Sequence, residues 1–267
     1  MTAGAVATPA HARPAGFWRD CSSIARRALR AVPREPEFLL PAIIVPVFFY
    51  FINIGALEKV AEGRGGVVDF KAFQLPVAII FAVTGISRAS ALVMDIQGGY
   101  FDRLLMTPIR RLALLLGLMV ADFAVVIGLT IPVLGLGLAL GVSFETGLLG
   151  MVVFALMGAA WGLAFTGFPY AIALKTGNPA AVNTSFILFF PFAFLTTSFL
   201  PQRALTGWLS TIADYNPVTY LLGAMRALVI DGWNADRLLE GAAAIAGIGA
   251  VSMTLALLAL RGRLRRG

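Results

Sequence analysis

Residues 146–174 pass without one charged side chain, and five more stretches come close to the same: 38–57, 72–94, 112–144, 176–202 and 241–260. Only Arg88 interrupts the second of these and only Asp122 the third. A helix rises about 1.5 Å per residue, so about 20 residues cross the roughly 30 Å hydrocarbon core of a bilayer. The runs are continuously apolar rather than alternating, which selects helices over a β-barrel. The chain therefore reads as an all-α polytopic membrane protein with six transmembrane helices. Composition excludes the alternatives: 59% of residues are hydrophobic and 13% charged, against about 25% charged in soluble domains. So few polar groups cannot cover a soluble surface, and so apolar a chain is not disordered.

The basic residues set the orientation. Arg13, Arg19, Arg26, Arg27, Arg30, Arg34, Arg103, Arg110, Arg111, Lys175, Arg261, Arg263, Arg265 and Arg266 fall on one face of a six-span arrangement. Lys59, Arg64, Lys71, Arg203 and Arg237 fall on the other. The positive-inside rule then puts both termini in the cytoplasm. The net charge of +7 is accounted for by this asymmetry, so no nucleic-acid partner is expected.

Three segments flank the 37–260 membrane domain, and a fourth, 203–238, lies within it. Residues 1–16 are Ala/Pro-rich, lack the apolar core of a signal peptide and are expected to be a disordered cytoplasmic tail. Within 17–36, Phe17, Trp18, Cys21, Ile24, Ala25, Ala28, Leu29 and Val32 share one helical face and Arg19, Arg26, Arg27 and Arg30 the other. This is an amphipathic helix lying at the membrane interface, or else an ordinary core-facing helix; Pro33 and Pro36 end it. The pieces of 203–238 are too short to span, which suggests external re-entrant helices dipping into the outer leaflet, with a small folded cap as the other reading. Residues 261–267 form a basic cytoplasmic tail. One cysteine (Cys21) and one histidine (His11) leave no disulfide, and no metal site or catalytic residue is expected.

Residues 94–111, MDIQGGYFDRLLMTPIRR, form a cytoplasmic loop that is not merely polar. Gly98 and Gly99 permit a turn. A helical pattern starts at Tyr100, and Pro108 stops it. Exposed Tyr100 and Phe101 beside Asp102 and Arg103 fit a docking surface for another protein, or a loop anchored in the headgroups.

This segment resembles the coupling-helix region of ABC transporter type-2 permeases, the exporters related to the daunorubicin-resistance permease. The matching residues are Asp95, Gly99, Asp102, Arg103, Leu104, Leu105, Thr107 and Pro108. Asn216, Pro217, Val218, Thr219 and Tyr220, followed by Ala224, Arg226 and Ala227, resemble the family's segment between the fifth and sixth spans. The preceding Phe199-Leu200-Pro201 and Gly207-Trp208-Leu209 are also similar. The resemblance implies a bacterial inner-membrane permease working as a homo- or heterodimer, with two ATP-binding subunits docked near Asp95, Tyr100, Phe101 and their neighbours. It implies no cofactor in this chain, ATP and Mg being held by the partner. The sequence agrees: it has no G-x-x-x-x-G-K-[ST], and Lys175-Thr176 follows Leu174 rather than Gly, so it offers no P-loop for phosphates.

Three features remain. Charges inside spans are costly and face interiors or partners, so Arg88 and Asp122 are expected either to pair or to be satisfied separately, Arg88 by snorkelling and Asp122 by local hydrogen bonds. Arg226 in the re-entrant segment either bonds free carbonyls or pairs with Asp214 or Asp231. Phe186, Phe189, Phe190 and Phe194 either line an apolar substrate path or pack between helices. The function expected is ATP-driven export of an apolar or amphiphilic cargo: a drug, a lipid or a lipid-linked glycan. The alternatives are a secondary transporter using Asp122, or a membrane-embedded lipid-modifying protein.

Overall fold

The computed structural model describes residues 16–63, 69–84, 86–100, 103 and 111–265. Among these the regular structure is entirely helical. In chain order the helices are α1 (Phe17–Ala31), α2 (Pro36–Gly63), α3 (Phe70–Val83), α4 (Ala89–Gln97), α5 (Arg111–Ala139) and α6 (Gly147–Thr176). They continue as α7 (Pro179–Thr184), α8 (Phe189–Phe194), α9 (Trp208–Tyr215), α10 (Pro217–Arg226) and α11 (Ala235–Leu264). A π turn, Ala227–Asp231, follows α10.

Local chemistry places the ends. Asp69 caps α3 by accepting the Ala72 N–H at 3.0 Å, Asn178 caps α7 through the Ala180 N–H at 2.9 Å, and Asn234 caps α11 through the Arg237 N–H at 3.1 Å. Each replaces an orphan contact of a first turn. Pro179 and Pro217 occupy first-turn positions, where a missing N–H costs nothing. Gly177 ends α6 in the left-handed region at φ 60°, which glycine adopts without a Cβ clash.

Four helices are long and apolar enough to cross a membrane: Leu39–Lys59, Leu112–Ala139, Gly147–Thr176 and Ala235–Arg263. The other two apolar runs are not continuous helices, which corrects the simple six-rod expectation. Run 72–94 divides into α3 and α4, with the chain non-helical at Thr84 and at Ile86–Arg88. Run 176–202 divides into α7, a 3-10 turn and α8, and leaves helical geometry at Leu195. The last helix begins at Ala235, inside the stretch read from sequence as external.

α6 is the central helix. It packs against α11, α5, α3 and α4, and Phe154, Trp161, Phe165 and Tyr170 on it are fully buried. α2 and α11 are peripheral: only 17% of the most apolar window of each is covered by the protein, against 61% for α5 and 50% for α6. α11 approaches α6 closely at Gly167, where an added Cβ would lie 2.5 Å from the Ser252 carbonyl carbon. Small residues let backbones meet in membrane bundles, where no hydrophobic drive separates helix from lipid.

α1 packs along α5. Its apolar residues Cys21, Ile24, Ala25 and Ala28 are buried, and a Cβ at Gly117 would lie 2.8 Å from the Ile24 Cβ. The stripe read from sequence as membrane-facing is therefore covered by protein, while Trp18 stays 81% exposed.

Two expectations follow. Gly167→Val forces α6 and α11 apart and destabilises the protein by about 2–3 kcal/mol, read as a lower thermal unfolding midpoint in detergent. Cys21 is buried, and burial raises its thiol pKa above the ordinary value. Because the thiolate is the reactive form, maleimide labels Cys21 slowly in the folded protein and fully after denaturation.

Candidate functional site

The segment leading into the 94–111 loop, read from sequence as a docking surface, is tied to α1. Arg27 donates to both Asp95 carboxylate oxygens, at 2.7 and 3.3 Å, and its guanidinium lies 4.0 Å from the centroid of the Tyr100 ring. The hydrogen bond to Asp95 raises the Arg27 pKa further, so the cation is fixed at every physiological pH. Both side chains are partly solvated, so the pair contributes about 1 kcal/mol or less to stability; its value is positional. Gln97 donates to the Gly177 carbonyl at 2.9 Å, Ser90 donates to Asn183 at 3.0 Å, and Arg263 donates to the Leu174 carbonyl at 3.3 Å. These bonds join α1, the end of α4, the α6–α7 corner and the end of α11. Gly99 takes φ 68°, the conformation its type was expected to supply. Of the other coupling residues, Arg103 is helical. Phe101, Asp102, Leu104, Leu105, Thr107 and Pro108 lie outside the described residues.

The interruption between α3 and α4 is held by the two intramembrane charges, though not as an ion pair. Asp122, on α5 and fully buried, accepts the main-chain N–H of Arg88 at 2.8 Å with one oxygen and the Tyr170 hydroxyl at 2.6 Å with the other. The guanidinium of Arg88 turns instead to Glu35, just before α2, in a bidentate pair at 2.7 and 3.1 Å. Asp122 thus caps the first turn of α4 from a neighbouring helix, because the helix break frees a donor that lipid cannot satisfy. Ser87 accepts the Ala89 N–H at 3.0 Å. Thr84 accepts Trp161 Nε1–H at 3.0 Å.

The second interruption is closed from the other side. Of the two alternatives for Arg226, the carbonyl bonds are formed: its guanidinium donates to the carbonyls of Phe73 and Thr197 at 3.1 and 2.8 Å and to the Thr197 hydroxyl at 2.9 Å. It also lies 3.5 Å from the Phe73 ring centroid. Asn216 caps α10 through the Val218 N–H at 2.9 Å, while its amide donates to the carbonyls of Phe192 and Leu195 at 2.8 and 2.7 Å. Gln74 on α3 donates to the Ser198 carbonyl at 2.9 Å, and the Thr196 and Thr219 hydroxyls meet at 2.6 Å. Tyr220 closes onto the Asp214 carbonyl at 2.5 Å. Pro217 sits beside the Asn216 cap at the start of α10.

The phenylalanine run separates into two groups. Phe189 is fully buried and packs edge-on against Phe81 and Phe165, and Phe186 is half-buried beside it. Phe190 and Phe194 stack at 5.5 Å and face outward. Asp122 and Arg88 stand out in the sequence as charges within apolar runs, whereas nothing in it marks their partners Tyr170 and Glu35. Gln74 was not singled out either, although an amide in an apolar run is itself a signal.

Asp122→Ala leaves two buried donors without their acceptor and destabilises by about 2–5 kcal/mol, while Tyr170→Phe costs about 1–2 kcal/mol. Because Asp122 holds a main-chain N–H, exchanging the charges (Arg88→Asp with Asp122→Arg) does not restore the stability lost in either single variant. Thermal unfolding of the purified variants reads both.

Comparison with known proteins agrees with this architecture. The chain is 27% identical over 210 residues to the daunorubicin resistance ABC transporter permease protein DrrB1 of Streptomyces coeruleorubidus, covering 76% of this chain and 72% of that protein. It is 24% identical over 210 residues to the probable doxorubicin resistance ABC transporter permease protein DrrC of Mycobacterium tuberculosis, covering 77% and 75%. The family profile of the ABC-2 type transporters matches residues 19–230, which takes in the α1–Asp95 junction, both helix interruptions and the Asn216-capped helix α10; the chain belongs to the ABC-2 type transporter family.

Proposed function

We propose that the chain is the permease subunit of an ATP-driven exporter in a bacterial cytoplasmic membrane. In this reading the chain crosses six times. α3–α4 and α7–α8 are discontinuous crossings beside the four long ones, and α1 lies along the cytoplasmic interface with Trp18 in the headgroups. The α9–α10 hairpin re-enters the outer leaflet. Both termini are cytoplasmic.

The observation that carries the reading is the Arg27 junction. Asp95 and Tyr100 bracket the turn into the coupling loop, and one guanidinium on α1 grips both. A push on that loop is therefore delivered to α1 and α4 together, and α1 passes it to α5 through its buried face. A chain without a P-loop needs a partner to supply that push. Two ATP-binding subunits beneath a permease dimer, homo- or heteromeric, would do so, with ATP and Mg held in those partners.

The relatives are named for resistance to daunorubicin and doxorubicin, which supports an apolar or amphiphilic drug as cargo. The secondary-transport alternative relied on Asp122 as a proton site. Both its oxygens are already engaged, so nothing favours that reading.

The test is co-expression with the candidate ATP-binding subunit. Tyr100→Ala combined with Phe101→Ala removes the two aromatic side chains of the proposed docking surface and is expected to cost about 2 kcal/mol or more in subunit association. That predicts a reduction of about thirtyfold in affinity, seen as loss of the ATP-binding subunit from the affinity-purified permease. Arg27→Glu keeps the subunit bound but lowers drug-stimulated ATPase. Full recovery and full stimulation in both variants would refute the docking and coupling roles.

A further inference from the structure

α2 carries one polar side chain in the middle of its apolar length. Asn53 lies six residues before Lys59, about 9 Å along the helix from that charge. It is nine-tenths buried, its amide atoms are not among those sealed from the surface, and among the described residues they make no hydrogen bond. An amide idle at membrane depth is costly, because lipid offers it neither donors nor acceptors. The backbone groups named at the helix interruptions meet side-chain partners within the fold, whereas the Asn53 amide meets none.

The amide is not sealed in. It faces a notch of about 260 Å³, counted with the open space at its mouth, which Gln74 also lines from α3. The enclosed part admits about one water molecule. Phe49, Tyr50, Phe81 and Phe199 complete the wall, and no charged residue contributes to it. The Phe49 and Phe81 rings stack at 5.9 Å. Phe81 meets Phe194 at 5.9 Å and Phe194 meets Phe199 at 5.7 Å. The aromatic surface therefore runs unbroken from the notch to the outward Phe190–Phe194 stack. Phe49 and Phe194, at its edge, are 37% and 36% exposed.

We propose that Asn53 and Gln74, walled by Phe49, Tyr50, Phe81 and Phe199, form a binding subsite for an uncharged planar aromatic molecule that inserts one hydroxyl or carbonyl oxygen between the two amides. The chemistry fixes the class. The notch has room for an atom group the size of water, so a hydroxyl or carbonyl fits and a carboxylate or ammonium finds no counter-ion. The rings at the mouth offer stacking and edge-on contacts to a flat apolar body. A water molecule alone would satisfy the amides but would leave the exposed rings unused. The purpose of the subsite rests on the transport reading above; its occupancy does not.

The experiment uses the full chain in phosphatidylcholine nanodiscs, with 1-hydroxypyrene and pyrene as probes. Wild type is expected to bind 1-hydroxypyrene saturably above protein-free nanodiscs. Asn53→Leu, which matches the side chain in size and breaks no hydrogen bond of the fold, is expected to weaken that binding about tenfold. Pyrene, lacking the oxygen, binds wild type and variant alike. No excess over protein-free nanodiscs overturns the proposal, as it would if lipid, water or a second copy of the chain fills the notch. Equal 1-hydroxypyrene affinity in Asn53→Leu overturns it as well. Asn53→Cys supplies an independent readout: 1-hydroxypyrene slows maleimide labelling at this position, and an unchanged rate overturns the proposal. Neither readout involves ATP or an ATP-binding subunit, so failure of the exporter reading and failure of the subsite are seen separately.

Discussion

A helix that stops inside a bilayer exposes main-chain donors and acceptors to a medium that can satisfy none of them. This chain stops twice among its apolar runs, and most of its buried polar side chains are explained by those two places. Asp122 and Ser87 take the N–H groups freed at the start of α4. Asn216, Arg226 and Gln74 take the carbonyls of Phe192, Leu195, Thr197 and Ser198 where α8 ends. The partners come from α3, α5 and α10, so each interruption also locks its helix to a neighbour. Removing one partner affects both the local backbone and the packing of two helices.

The two interruptions give the molecule its division of labour. α4 is a short half-helix whose upper end is pinned by Asp122 and whose lower end meets Arg27 through Asp95. The Arg88–Glu35 pair joins the same break to the start of α2. In the proposed exporter, force arriving at the 94–111 loop would reach α1, α2 and α5 without passing along a continuous rod. Rigid units joined at defined points are how small local shifts become larger rearrangements. Helix α10 with its Asn216 cap is the counterpart at the second interruption, bracing α3 and the end of α8.

Much of this was legible before any coordinates. Helical class, membrane residence, the Asn216-Pro217 start of α10 and the turn at Gly98-Gly99 follow from residue types whose local physics is decisive. The covering of α1 was not legible, because an amphipathic stripe reads the same whether lipid or protein faces it. Nor was the role of Asp122. A buried carboxylate near an arginine suggests an ion pair, but the competing claimant was a main-chain N–H, which has no sequence signature of its own.

The sequence by itself determined where its apolar runs lie, how its basic residues cluster between them and that it carries no P-loop motif, because these depend on composition and spacing along the chain. Only the tertiary structure decided where those segments break, which carboxylate meets which donor, and that the Asn53 and Gln74 side chains share one notch. Hydrogen bonds across 34 residues, as between Arg88 and Asp122, or across 153, as between Arg226 and Phe73, are set by which helices lie side by side. That adjacency is a property of packing, and nothing in the local pattern of either partner encodes it.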